Sequence, residues 1–133
     1  MNDLRSRLIG VWRVTRYDDR GSTDAPWTQS YGADVDGLII YHESGWLSVG
    51  VAGDGRFDGY LARFEIVEAS AEADDVVGIV NHEIVATSMP ELLAIDQRRP
   101  FRVNDQTLVL GDGETWRRVC ERVSDVTDVA SLA

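Results

Sequence analysis

Apolar and polar residues alternate with a period of two along most of this chain. Residues 8–17 set the pattern: Gly10, Trp12 and Val14 fall on one face, Val11, Arg13 and Thr15 on the other. Successive side chains of an extended chain point to opposite faces, so this alternation of β-branched and aromatic residues predicts a strand. The pattern returns over 37–41, 46–51, 60–68, 76–87, 92–103, 107–110 and 115–120. In the segment 60–68 it places Tyr60, Ala62, Phe64 and Ile66 on one face, and in 46–51 it sets Trp46 on the face opposite Leu47.

Turn chemistry separates these runs. Residues 42–45 and Asn104-Asp105 read as tight hairpin turns, 52–59 as a Gly- and Asp-rich loop, 69–75 as an acidic turn, and Ser88-Met89-Pro90-Glu91 as a strand break. Residues 2–7 read as a short helical turn closing one end. Residues 18–35 form a long first connection that carries Trp27, Tyr31 and a short irregular strand; a loop of this length in a compact domain often covers a binding mouth. Roughly eight or nine short strands with no helix beyond a turn or two predict an all-β fold, a sandwich or a barrel, and a small antiparallel barrel of about eight strands has an interior that holds side chains or one small ligand. The chain length of 133 residues suits one domain, with 1–122 as barrel and 123–133 as a C-terminal tail without strong structure signals.

Charge narrows the partners. Thirteen basic against 23 acidic residues give a net charge of −10, which disfavours nucleic acid and anionic membrane surfaces and favours solubility. The single cysteine, Cys120, cannot form an internal disulfide, and neither a signal peptide nor a run of transmembrane length is visible, so a cytoplasmic location is expected. Two histidines and one cysteine are too few for a metal centre, and there is no Gly-rich phosphate loop; the expectation is no metal and no cofactor.

Within the predicted barrel a few side chains could carry chemistry. His82 shares a face with Val80, Ile84 and Ala86, which points it inward; it is either a core histidine satisfied by a neighbouring strand or a group able to exchange a proton near neutral pH. Arg99 and Gln97 share a face with Phe101 and Val103. An inward arginine must be paired, either with a carboxylate of the protein or with an anionic group of a ligand. Leu47, Val49, Tyr60, Phe64 and Phe101 are candidate lining, although an aromatic stripe equally fills the core of a small barrel. Arg16 shares the Trp12 face at the end of its strand, at the cavity rim or in solvent, and His42 sits in an exposed turn.

Several short segments, in order, resemble the bacterial and fungal lipocalin-like domain family. Leu8-Ile9-Gly10-Val11-Trp12-Arg13-Val14 is similar to its opening L-x-G-x-W-x-L. Tyr31-Gly32, Gly37-Leu38-Ile39-Ile40-Tyr41 and Gly45-Trp46-Leu47-Ser48 are similar to its F-G, G-x-x-x-Y and D-G-Y-M-S pieces. Tyr60-Leu61-Ala62-Arg63-Phe64-Glu65-Ile66, Val80-Asn81-His82-Glu83-Ile84 with Met89-Pro90, Gln97-Arg98-Arg99-Pro100-Phe101, and Trp116-Arg117-Arg118 resemble the rest, to about residue 120. Three departures stand out: Glu83 replaces a second histidine, Ser44 replaces an aspartate, and the segment 52–59 is shorter than the family's helical insertion.

The resemblance implies a lipocalin-type barrel with an apolar cavity, its first-strand Trp12 closing one end under a last-strand arginine, here Arg118. It does not fix an activity, since one fold hosts many functions. The leading expectation is a module that binds a small hydrophobic molecule, anchored by Arg99, Gln97 and His82. The alternative is a cofactor-independent cyclase or isomerase of a secondary metabolite, with His82 and Arg99 as catalytic groups and modest acid–base help from His82; some lipocalin-like barrels are such enzymes. A strand edge could also pair two barrels as a homodimer.

Overall fold

The computed structural model describes residues 2–123, with side chains from Leu4 onward. A short helix α1 (Asn2–Ser6) precedes nine strands: β1 (Gly10–Asp19), β2 (Thr28–Gln29), β3 (Asp36–Tyr41), β4 (Trp46–Gly53), β5 (Arg56–Glu72), β6 (Asp75–Thr87), β7 (Arg98–Val103), β8 (Thr107–Leu110) and β9 (Trp116–Arg122). All pairings are antiparallel, and β3 to β9 follow one another in sheet order. β1 pairs with β3 on one side and β9 on the other, which closes eight strands into a barrel. The ninth, β2, pairs only with Asp18 and Asp19 at the far end of β1. Full closure leaves the barrel strands without a free edge over their paired length. Of the predicted tail, all but Val123 lies outside the described residues.

The strand boundaries differ most from the sequence pattern in three places. Residues 52–59 are not a loop: β4 runs to Gly53 and β5 starts at Arg56, and Asp54 (φ 51°) and Gly55 (φ 77°) make a two-residue turn. Positive φ at both central residues is what a type I′ hairpin requires, and Asp-Gly supplies it. Likewise β5 continues through much of the predicted acidic turn, to Glu72, and folds back at Ala73 (φ 56°). Finally, β7 begins at Arg98, not at 92; Pro90–Ala94 form a 3₁₀ turn instead, with proline in its first turn where no backbone N–H is needed.

One end of the barrel is packed solid. Leu8, Trp12, Tyr41, Val76, Val103, Leu108 and Cys120 are almost completely buried there, and Leu4 of α1 packs against them. The Trp12 indole N–H donates to the Leu8 carbonyl at 2.9 Å. The arginine that lies across Trp12 is Arg122, with its guanidinium 4.1 Å from the ring centroid; this corrects the assignment of that role to Arg118. Arg122 also donates to the carbonyls of Arg7, Ile9 and Asp105 at 2.9, 3.0 and 2.8 Å, so it ties the segment before β1 and the end of β9 to the β7–β8 turn. Gly10 explains the Gly-x-Trp pattern: its φ is 142°, and a Cβ there would lie 2.5 Å from Nη1 of Arg122.

Candidate functional site

The other end of the barrel is hollow. A pocket of about 470 Å³ lies between inward residues of the strands and the two connections that fold over them. Its walls are aliphatic (Val14, Ile39, Val49, Val51, Leu110) and aromatic (Tyr17, Tyr60, Trp116), and Met89, Leu92 and Ile95 of the β6–β7 connection face it from above. The volume falls in the range of about 300–1,000 Å³ typical of small-molecule sites, and the make-up of apolar walls with a few polar groups is theirs too.

Tyr17 reaches this wall through a β-bulge. Val14 pairs with Cys120 and Arg16 with Val119, so Thr15 is the extra residue on β1. A bulge reverses the side-chain parity beyond it. Trp12 and Val14 face inward before it, Tyr17 and Asp19 after it. The same reversal sends Arg16 outside, where its side chain is 53% exposed and pairs with Asp18 at 3.1 Å; it does not line the rim.

On the neighbouring strand β9, Arg118 stacks 3.5 Å over the Tyr17 ring, which it faces in the ladder, and pairs with the Asp19 carboxylate at 3.0 Å. Tyr31, from the long first connection, meets Tyr17 edge-on at 4.7 Å and donates its hydroxyl to Asp58 at 2.7 Å. Gly53 makes that approach possible, because a Cβ there would fall 2.0 Å from the Tyr31 carbonyl oxygen. These contacts hold the first connection against the pocket mouth.

The pocket floor is polar and centres on His82. This residue is fully buried and does not reach the pocket; Tyr60 and Arg99, which do, stand in front of it. The Arg99 Nε lies 3.2 Å from His82 Nδ1, the Tyr60 hydroxyl 2.7 Å from the same atom, and the Tyr41 hydroxyl 2.7 Å from Nε2. An arginine Nε only donates, so Nδ1 accepts. That assigns the imidazole proton to Nε2, from which it is donated to Tyr41, while the Tyr60 hydroxyl donates to Nδ1. Burial, reinforced by the Arg99 charge, holds the His82 pKa well below the usual histidine range. Burial likewise raises Tyr41 well above the ordinary phenol value and raises Tyr60, where Arg99 works in the opposite sense. At neutral pH the trio is therefore an uncharged histidine between two protonated tyrosines.

Arg99 is fixed from several sides. Its Nη2 donates to Gln97 Oε1 at 2.5 Å, and its guanidinium lies 5.6 Å from the Trp116 ring centroid. Gln97 is anchored in turn: its side-chain nitrogen donates to the carbonyls of Leu92 and Ile95, and its own carbonyl accepts from the His82 backbone N–H at 3.1 Å. Among the described residues no carboxylate pairs with Arg99.

The eight residues singled out in the sequence thus separate into groups. Val49, Tyr60 and Arg99 line the pocket; Gln97 positions Arg99; His82 lies one layer behind. Leu47, Phe64 and Phe101 belong to the buried core and do not line the pocket. Sequence reasoning missed Tyr17, hidden by the bulge, and Arg118, assigned to the opposite end. It also missed Tyr41, which had a signal: it shares the inward face of Ile39, and a buried phenol needs a polar partner such as His82. Among the described residues no cluster of three or more His, Cys, Asp or Glu side chains forms a metal site. Comparison of the chain with models of known protein families, with curated proteins and with solved structures gives no match, so the strand pairing alone defines the fold as a closed eight-stranded antiparallel barrel.

Proposed function

We propose that the protein is a lipocalin-like binding module that holds one small, mostly hydrophobic molecule in the half-barrel pocket. The observation that supports this best is the contrast between the two ends: one is filled by Trp12, Tyr41 and Leu108, the other keeps about 470 Å³ free behind aliphatic and aromatic walls. The alternative of a cyclase or isomerase assisted by His82 has weaker support. The imidazole does not face the pocket, and burial moves both His82 and Tyr60 away from neutral pH in directions that disfavour proton transfer.

The test is to fill the pocket from its wall. A panel of small apolar molecules is titrated while the intrinsic tryptophan fluorescence, to which the pocket residue Trp116 contributes, is followed. Saturable binding is expected for some members. The Val49→Trp variant should lose it while keeping the far-ultraviolet circular dichroism of the parent. A panel without any saturable ligand, or binding unchanged by a folded Val49→Trp variant, would remove this reading.

A further inference from the structure

Resting on that reading, we infer that the ligand carries an anionic oxygen group at its inner end, and that Arg99 is the receptor for it. The pocket is locally cationic in a chain of net charge −10: four arginines and three aspartates line it. The carboxylates already have partners. Asp19 pairs with Arg118, Asp58 accepts from Tyr31, and Asp96 accepts the backbone N–H of Arg98. Arg20 is turned to the carbonyls of Glu114 and Ala25. Arg99 is different. Its fixed contacts are all to neutral groups, His82, Gln97 and Trp116, and no carboxylate or carbonyl among the described residues meets its Nη1.

A guanidinium withdrawn from bulk water gains most from a partner of opposite charge. Its planar fork suits a carboxylate or another oxyanion. The neighbours fit this role. His82 is neutral and accepts from Arg99, so it orients the guanidinium without neutralising it, and Gln97 does the same through its amide oxygen. The inward end of a bound molecule would meet Arg99 and the Tyr60 edge, with its apolar body running outward along Val49 and Val51 toward Met89 and Leu92. The ligand class is a compact amphiphile with an acidic head, such as a medium-chain monocarboxylate.

Three probes of one length separate the head from the body: octanoate, 1-octanol and octylammonium, titrated into the wild-type protein by calorimetry at neutral pH. Octanoate is expected to bind at least about tenfold tighter than octanol, the scale of one charge-assisted hydrogen bond, and octylammonium weaker than both. The Arg99→Gln variant should bring octanoate down to the affinity of octanol and leave octanol unchanged. Equal binding of octanoate and octanol to wild type overturns the inference while the pocket reading stands. Binding of none of the three overturns the inference, and an apolar panel that also fails takes the pocket reading with it. Because the wild-type comparison alone decides the point, a variant that fails to fold does not protect it.

Discussion

Replacing His82 with glutamine should remove a pH dependence of stability that the native network builds in. The imidazole is buried, is bonded to Tyr41, Tyr60 and Arg99, and has its pKa depressed well below 6.5 in the folded state. In the unfolded chain it titrates near 6.5. Below that pH the unfolded chain takes up a proton that the folded one refuses. The stability associated with the neutral histidine is therefore complete above about pH 6.5 and lost as pH falls, at up to about 1.4 kcal/mol per pH unit. The loss reaches about 2 kcal/mol at pH 5 when the native imidazole stays neutral down to that pH. This is a large part of the 5–15 kcal/mol that typically holds a domain together. Three carboxylates, Asp36, Asp75 and Asp112, are likewise lowered, below 3.8; what they contribute is present above that value and lost at lower pH, outside this window. Glutamine can accept from Arg99 and donate to Tyr41, yet it does not titrate. Urea denaturation of wild type and His82→Gln at half-unit steps from pH 5 to 7.5 isolates the effect, since the general change in protein charge is common to both. The difference between the two curves should close toward pH 5, by up to about 2 kcal/mol. Parallel curves across that range would mean that the native imidazole accepts a proton as readily as an unfolded one, and the assignment of a neutral, Nε2-protonated His82 would fail.

Two further outcomes concern the packed end. Arg122→Met should lower stability by about 2 kcal/mol, since it removes three hydrogen bonds to backbone carbonyls and the stacking on Trp12, discounted for a side chain that keeps some contact with water; in a background with Trp27, Trp46 and Trp116 replaced by phenylalanine, so that Trp12 alone emits, Arg118→Met should leave the emission unchanged where Arg122→Met shifts it, and a shift from both or from neither would contradict the placement. Cys120 is fully buried and its thiol is pushed up to about 12, so it should resist a thiol reagent at pH 8 in the native protein and react fully in denaturant; fast labelling without denaturant would show that the barrel opens at β9.

Much of the barrel could be read from the sequence because its inward faces alternate cleanly. The parity of Tyr60, Ala62 and Phe64, and that of Arg99, Phe101 and Val103, holds in the structure, as does the outward turn of Trp46. Parity failed where the ladder carries an extra residue. Thr15 on β1 switches Tyr17 for Arg16, and the shifts that leave out Val67 and Val85 put two β-branched residues at 41% and 56% exposure. A single sequence gives no marker for a bulge made of ordinary β-formers, because the local preference for extended backbone is the same on either side of it. Arg118 and Arg122 illustrate a second limit. They lie four residues apart on one strand, separated by roughly 13 Å of rise, which is enough to put one at the hollow end and the other at the packed end. Which arginine meets Trp12 is decided by the β1–β9 register, where Trp12 faces Arg122 and Tyr17 faces Arg118.

The hollow and packed halves have a common physical origin. In the packed half the inward positions carry rings and long side chains: Trp12 on β1, Tyr41 on β3, Leu47 on β4, Phe64 on β5, with Leu8 and α1 closing beneath them. One turn of pleat further along the same strands, the inward residues are Val14, Ile39, Val49 and Val51, which are too short to meet across the barrel. The space they leave is bordered by a layer of His82, Tyr41 and Tyr60. Each of these polar groups has a fixed partner within the layer. Arg99 is held by that layer but presents its charge upward, out of it. A Tyr60→Phe substitution should therefore leave the packed half intact and loosen the aim of Arg99, so that octanoate loses affinity while the unfolding midpoint falls by no more than the roughly 1 kcal/mol of one neutral hydrogen bond; a collapse of the whole fold would show that the layer holds up both halves rather than dividing them.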